Sequence, residues 1–413
     1  MTPTRRAFLG SAAAVGLAGG CAPRPSPVPA AGLDAFRDRL RALPRKSGLR
    51  LRRLETFTRD TTVSLVRATA DDGSEGWGQI APYDADLSAK VLHRKIAPLA
   101  LGADPYDLDA ISDRAIESNY KFHWSFVCRA LAGLDTALWD LRGRREGKGV
   151  VELLGSAARP VPVYGSSMSR TIRPAEEADR MARLRDEKGF RAFKIRIGKV
   201  CGHDQDQWPG RTEELVPAVR RAVGREVVLY ADANSCYTPA RAVEVGRFLE
   251  AHGYVHFEEP CPYWELEWTA QVAAALDLLV TGGEQDNDLA QWRRMIRMGA
   301  VDVAQPDVCY VGGFTRALRV AVLAGEAGLP CLPHSANPSL VQVFTVHLMA
   351  AIPNAAPFME FSIEKTGWAE GLFEPSFAVR DGAVAVPPGP GWGIRVRPDW
   401  LERAERQVSE RPS

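Results

Sequence analysis

The sequence predicts an α/β protein in which a parallel (βα) barrel follows an α+β N-terminal section and precedes an irregular tail. Three observations carry this expectation. From Pro160 onward, short β-branched or apolar runs alternate with longer amphipathic stretches rich in Ala, Arg and Glu. Polar residues recur at the ends of those runs in steps of 26, 26, 23, 27 and 26 residues, from Asp232 through Glu258, Glu284, Asp307 and His334 to Glu360. Before Pro160 the texture is different, with alternating strands followed by helical segments.

The extreme N-terminus stands apart from the fold. Thr4-Arg5-Arg6-Ala7-Phe8-Leu9 precedes a small-residue apolar run that ends at Gly20 and Cys21. That run is too short to span a bilayer, and paired arginines before a weakly apolar segment resemble a twin-arginine export signal over residues 1–21. Ala18-Gly19-Gly20-Cys21 also resembles a lipoprotein cleavage box, with its leucine one position early, so Cys21 is a candidate lipid anchor. A periplasmic or membrane-anchored location is expected, and residues 22–33, rich in Pro and Ala, read as a tether.

Residues 34–159 form the α+β section. Residues 50–70 alternate apolar and polar, Asp71-Asp72-Gly73 is a hairpin turn, and Gly76-Trp77-Gly78 opens the return strand. Residues 85–155 read as helical, with Ala130–Leu141 a strongly amphipathic helix. In residues 160–362 the candidate strands are Val161–Tyr164, Ala192–Ile197, Val227–Ala231, Tyr254–Phe257, Leu278–Thr281, Val301–Gln305, Leu329–Leu332 and Phe358–Phe361. Eight strand–helix units are the number that closes a parallel barrel. Residues 363–413 lose this rhythm and are expected to return onto the N-terminal section.

Composition narrows the function. The chain has 413 residues, 46% hydrophobic and 25% charged, with a net charge of +1 and no basic stripe interleaved with aromatics, so nucleic acid is not an expected partner. Seven scattered cysteines form no CxxC pair, which speaks against a zinc knuckle or disulfide framework. The strand-end residues point instead to a small-molecule site. Asp232, Glu258 and Glu284 arrive from adjacent strand ends, and three oxygen donors in step suit a hard divalent cation such as Mg²⁺; salt bridges to barrel Lys and Arg are the alternative. Glu259 should face the other way on alternation grounds. Lys194 and Arg196, two apart on one strand, face the same side, either to balance charge or to bind a substrate carboxylate. His334 falls in step with the acids, and Asp307 on the neighbouring strand end can fix its tautomer and leave one nitrogen as a base.

The set Lys194-x-Arg196, Asp232-x-Asn234, Phe257-Glu258-Glu259-Pro260, Gly283-Glu284, Asp307 followed by Gly312-Gly313, His334 and Glu360 resembles the enolase superfamily, and more narrowly its mandelate racemase subgroup. The resemblance runs over about residues 50–400 and includes Leu134-Asp-Thr-Ala-Leu-Trp-Asp140. It implies a modified TIM barrel under an N-terminal capping domain that the tail completes. It also implies one Mg²⁺ held by Asp232, Glu258 and Glu284, with Lys194, Arg196 and Asn234 binding substrate. His334 would remove the proton α to a carboxylate to give a metal-stabilised enolate, and Glu360 would hydrogen-bond the developing oxyanion.

Subgroup members usually carry a second lysine where Arg196 stands. Arginine is a poor proton acceptor, so two-base racemisation is disfavoured and β-elimination of water from a sugar acid by one histidine is preferred. Asp307 stands where the muconate cycloisomerase and dipeptide epimerase branches place lysine. The alternatives are a racemase or epimerase of a 2-hydroxy acid, and an exported binding lipoprotein without catalysis. A homo-oligomer is expected. The loops Phe57–Thr62 and Gln79–Tyr83 are expected to set specificity, with Arg59 and Tyr83 as candidate contacts.

Overall fold

The computed structural model describes residues 30–122 and 124–411. The export signal, Cys21 and residues 22–29 of the tether therefore lie outside the described residues, as does His123. The tether is shorter than expected, because residues 30–33 already belong to helix α1 (Ala30–Ala42), where Leu33 packs on Gly325.

Strands β1 (Leu51–Arg59), β2 (Val63–Ala70) and β3 (Glu75–Gln79) form an antiparallel meander. At the hairpin, Gly73 takes φ 86° and the Asp72 carboxylate accepts the Ser74 N–H, so the local turn chemistry is as its residues dictate. One face of β1 carries a buried carboxylate, Glu55, ringed by Arg67 at 2.7 Å, Arg53 at 3.4 Å and Arg406. Burial works to raise its pKa, but the hydrogen bonds from Arg67 and Arg406 hold it below the ordinary value. Helices α2 (Ala85–Val91), α3 (Ala97–Ala100), α4 (Leu108–Glu117), α5 (Ser125–Glu146) and α6 (Val150–Leu153) follow, with a π turn at Leu92–Ile96.

Helix α5 corrects the sequence reading. Every residue from Ala130 to Gly143 is buried, so it is an enclosed helix rather than an amphipathic one. Its polar side chains spend their hydrogen bonds on other elements. Asp135 accepts the Thr315 N–H at 3.0 Å; Asp140 accepts the Trp77 and Trp392 N–H groups, each at 2.8 Å. The helix lies so close to β3 that a Cβ on Gly78 would sit 2.4 Å from the Gly133 carbonyl oxygen.

The barrel strands are β4 (Val161–Ser166), β5 (Ala192–Arg196), β6 (Val228–Asp232), β7 (His256–Glu258), β8 (Leu279–Gly282), β9 (Val303–Ala304) and β10 (Met359–Ser362). They pair in parallel in the order β10-β4-β5-β6-β7-β8-β9. The connecting helices are α7 (Pro174–Lys188), α8 (Arg211–Val223), α9 (Pro239–Ala251), α10 (Leu266–Ala275), α11 (Leu289–Met298), α12 (Phe314–Glu326) and α13 (Leu340–Ala351). The expected seventh strand, Leu329–Leu332, is reduced to isolated parallel bridges, Ala304 to Cys331, Asp307 to His334 and Cys331 to Ala355. Pro330 and Pro333 explain this, since neither has an N–H to give a ladder. The eighth unit is also incomplete. Among the described residues no barrel helix follows β10, and the chain passes directly into the tail.

The tail carries β11 (Phe373–Glu374), β12 (Ala383–Val384), β13 (Arg395–Val396), α14 (Pro398–Leu401) and β14 (Glu405–Glu410). Strand β12 pairs antiparallel with the start of β4, and β14 pairs with β1 from Arg53–Glu410 to Thr58–Glu405. Between them, Trp392 is fully buried and its indole N–H donates to the Thr136 carbonyl at 2.9 Å. His347 links this plug to α6: Nδ1 accepts the Val151 N–H and Nε2 lies 3.2 Å from the Trp392 carbonyl oxygen. Those partners suit the neutral tautomer with its proton on Nε2, and burial lowers the imidazole to about 4. All six cysteines among the described residues are free thiols, and Cys201 is exposed.

Candidate active site

The parallel register brings the strand-end residues to one level. Arg196 is opposite Asp232, Asp232 is opposite Glu258, and Asp307 is bridged to His334. All are buried, as are Lys194, Glu284 and Glu360. Glu284 follows Gly283, whose φ of 107° excludes other residues; a Cβ there would also strike the Trp292 ring at 2.2 Å.

Lys194 is the hub. Its Nζ lies 2.7 Å from Glu258 Oε1, 2.8 Å from Glu360 Oε1 and 3.6 Å from Asp232 Oδ2. Burial opposes its charge, but Glu258 and Glu360 outweigh that and raise its pKa, so it is an ammonium. Arg196 is locked in place: it pairs with Asp232 Oδ2, reaches Asn234 Oδ1 at 2.8 Å and donates to the Ser167 carbonyl at 3.2 Å. Asn234 in turn accepts from Arg170 at 2.8 Å and donates to Glu259 Oε2 at 3.2 Å. Glu259 is thus a buried support for Asn234.

His334 Nδ1 is 2.7 Å from Asp307 Oδ2, and its Nε2 faces Glu284 Oε2 at 3.4 Å. The other oxygen of Asp307 accepts the N–H groups of Cys309 and Tyr310 at 2.7 and 2.9 Å, which aims the carboxylate at the ring. Burial disfavours the imidazolium, yet Glu284 and Asp307 outweigh it and push His334 up to about 10. His256, by contrast, stacks flat on Tyr230 at 4.1 Å and is a core residue. Glu360 is the last of the strand-end acids. Burial acts to raise its pKa, but Lys194 and His334 hold it below the carboxylate range; its oxygens accept from Ser166 at 2.7 Å and the Ser335 N–H at 2.8 Å.

Among the described residues no three His, Cys, Asp or Glu side chains are gathered tightly enough to cage an ion, because Lys194 and Arg196 occupy oxygens of Asp232 and Glu258. The donor chemistry nevertheless fits a hard cation. Asp232, Glu258 and Glu360 lie within 3.6 Å of Lys194 Nζ, Asp232 also pairs with Arg196, and Glu284 is buried beside them. Glu284 Oε2 has no hydrogen bond beyond its approach to His334, and Glu259 Oε1 has none. Burial raises the pKa of both. Such uncompensated oxygens are what a divalent cation satisfies.

Several contributors were not singled out in the sequence. Gln305 donates to Glu258 Oε2 at 2.9 Å, and its place two residues before Asp307 was the available signal. Ser166 and Arg170, at and after the first strand end, carry no acid in step and left no signal. Burial and the neighbouring Arg196 and Arg211 push Arg170 down to about 9. Of the expected specificity residues, Tyr83 meets Trp368 edge-on at 6.0 Å, beyond the end of β10, whereas Arg59 stacks over Trp400 of the tail at 5.6 Å.

Known proteins share this fold. Residues 52–155 match the mandelate racemase/muconate lactonizing enzyme N-terminal domain, and residues 176–400 match the enolase C-terminal domain-like model. A solved structure from Roseobacter denitrificans, named as a candidate racemase, is 53% identical with a TM-score of 0.86, covering 87% of this chain and all (100%) of the other. Arabinonate dehydratase from Saccharolobus solfataricus is 30% identical over 79% of this chain and 86% of its own length. L-talarate dehydratase from Polaromonas sp. JS666, solved with Mg and L-glucarate, is 27% identical with a TM-score of 0.76, covering 88% of this chain and 100% of that one. With both domain models matched in order and the strand-end set in register, the chain belongs to the mandelate racemase/muconate lactonizing enzyme family of the enolase superfamily.

Proposed function

We propose that the protein is a Mg²⁺-dependent hydro-lyase that removes the α-proton of a sugar acid and eliminates water. The observation that carries this reading is the His334–Asp307 dyad at 2.7 Å, combined with a locked arginine, Arg196, where a second base would be required. When bound among Asp232, Glu258 and Glu284, a divalent cation supplies electrophilic stabilisation of the substrate carboxylate. Lys194, kept as an ammonium by Glu258 and Glu360, binds the same carboxylate and holds the α-carbon before His334. With the Glu284 charge that raises its imidazolium offset by a bound cation, His334 Nε2 can accept the α-proton while Asp307 fixes the proton on Nδ1. The same Nε2 then returns a proton to the departing β-hydroxyl, so C–H and C–O bonds break and water leaves. Arg196 stays charged, so it cannot accept a proton, and it binds a substrate oxygen. The similarity to a candidate racemase favours epimerisation as the second reading.

Incubating the Mg²⁺-loaded protein in deuterated water with aldonic and aldaric acids separates the two. Dehydration yields a 3-deoxy-2-keto acid; epimerisation yields substrate deuterated at the α-carbon and no keto acid. Silence in both channels across the library would defeat both and leave a binding protein.

We also propose that the chain is exported, on the strength of Arg5-Arg6 and the apolar run to Gly20. A reporter fused to residues 1–33 is expected in the periplasm, and its export is expected to stop when both arginines become lysine. Retention of the unmodified fusion in the cytoplasm would sink the idea.

A further inference from the structure

We propose that the cleft between α1, α5 and α12 is a second ligand site, for an amphipathic carboxylate with a single anionic head and an apolar tail. The cleft encloses about 420 Å³ and lies against the outer helices, with none of the strand-end residues in its wall. Its floor is apolar: Leu43 from the end of α1, and Leu318, Val322 and Leu323 from α12. Its distinctive wall residue is Arg142 of α5, which is 1% exposed.

Arg142 is only partly satisfied. Its Nε donates to Glu146 at 3.0 Å and its guanidinium lies 4.7 Å from the centre of the Tyr106 ring, but its buried Nη2 has no hydrogen-bond partner. A guanidinium nitrogen shut away from water without an acceptor bears its desolvation cost unrelieved, so the missing partner is an anionic oxygen.

Charge around the mouth agrees. Arg37, Arg41, Arg45, Arg293 and Arg319 share the wall with Asp107, Asp109 and Glu326; Arg41 pairs with Asp38 at 3.5 Å and Arg45 with Asp109 at 3.8 Å. Arg319 is taken by Asp109 and Asp113, and Arg37 by Glu326 at 3.3 Å. Arg293 is exposed and has no ion pair among the described residues. A carboxylate between Arg142 and Arg293 with its tail on the leucines matches both charge and polarity. A phosphate or sugar would leave the leucine floor wet, and a neutral hydrocarbon would leave Arg142 unrelieved.

Titration calorimetry of the Mg²⁺-loaded protein with octanoate, octanol and acetate tests this. Octanoate is expected to bind about tenfold or more tighter than octanol, and acetate not measurably, because head and tail are both required. Arg142→Met should remove the preference for octanoate over octanol, and Leu318→Trp, which fills the floor, should abolish binding of both. Should Arg142→Met fail to fold, Leu318→Trp and Arg293→Ala in the intact protein decide the matter. Equal binding of octanoate and octanol, or binding untouched by Leu318→Trp, overturns the proposal. So does a site masked as protein concentration rises, which would make the cleft an interface between copies of the chain.

Discussion

His334→Asn is expected to abolish α-proton exchange, lowering it by about 10⁴-fold, the upper end of what one positioned general base contributes. The loss should be chemical rather than structural, since the ring is held by one short contact to Asp307 and sits among groups supported from other strands. Asp307→Asn provides the sharper arm. The asparagine oxygen can still accept the Cys309 and Tyr310 N–H groups, so the backbone stays in place. Its amide nitrogen would then face His334 Nδ1 and donate to it, forcing the ring proton onto Nε2 and leaving no base. A loss of similar size with an unchanged melting curve is expected. NMR of substrate protons in deuterated water measures it, and exchange within tenfold of the parent for both variants would refute the dyad.

Lys194→Met should cost the metal-free protein about 3–5 kcal/mol, the range for removing one partner from a buried ion cluster. Three carboxylates, Glu258, Glu360 and Asp232, lie within 3.6 Å of its Nζ and lose their shared cation at once. Denaturant midpoints in a chelator report the loss. Added Mg²⁺ should then stabilise the variant by more than it stabilises the parent, because the metal is the remaining source of positive charge near those oxygens. Midpoints that coincide for variant and parent would show that the cluster is already balanced without Lys194.

The three variants probe features of different legibility. Asp232, Glu258 and Glu284 could be read because one βα unit has nearly constant length, so a functional layer becomes a repeat in the chain, and the register Arg196–Asp232–Glu258 realises it. Pro330 and Pro333 were equally visible, and the broken seventh strand follows from them. Helix α5 was misread for a reason no helical period contains: Asp135, Thr136 and Asp140 serve elements far away in the chain, so their polarity did not mean exposure. The 2.8 Å contact between Lys194 and Glu360 joins the second barrel strand end to the last, which spacing does not encode.

The pairing of β14 with β1 has a consequence for how the protein is made. The first strand of the N-terminal sheet waits for a partner synthesised more than 340 residues later, from Glu405 to Glu410. Trp392, which bonds to Thr136 of α5 and packs on Phe344 of α13, is likewise made after both helices. A ribosome-bound chain therefore holds an unfinished sheet edge until Glu405–Glu410 emerges. Any partner that guards the nascent chain must cover that edge until Glu405–Glu410 is available to pair.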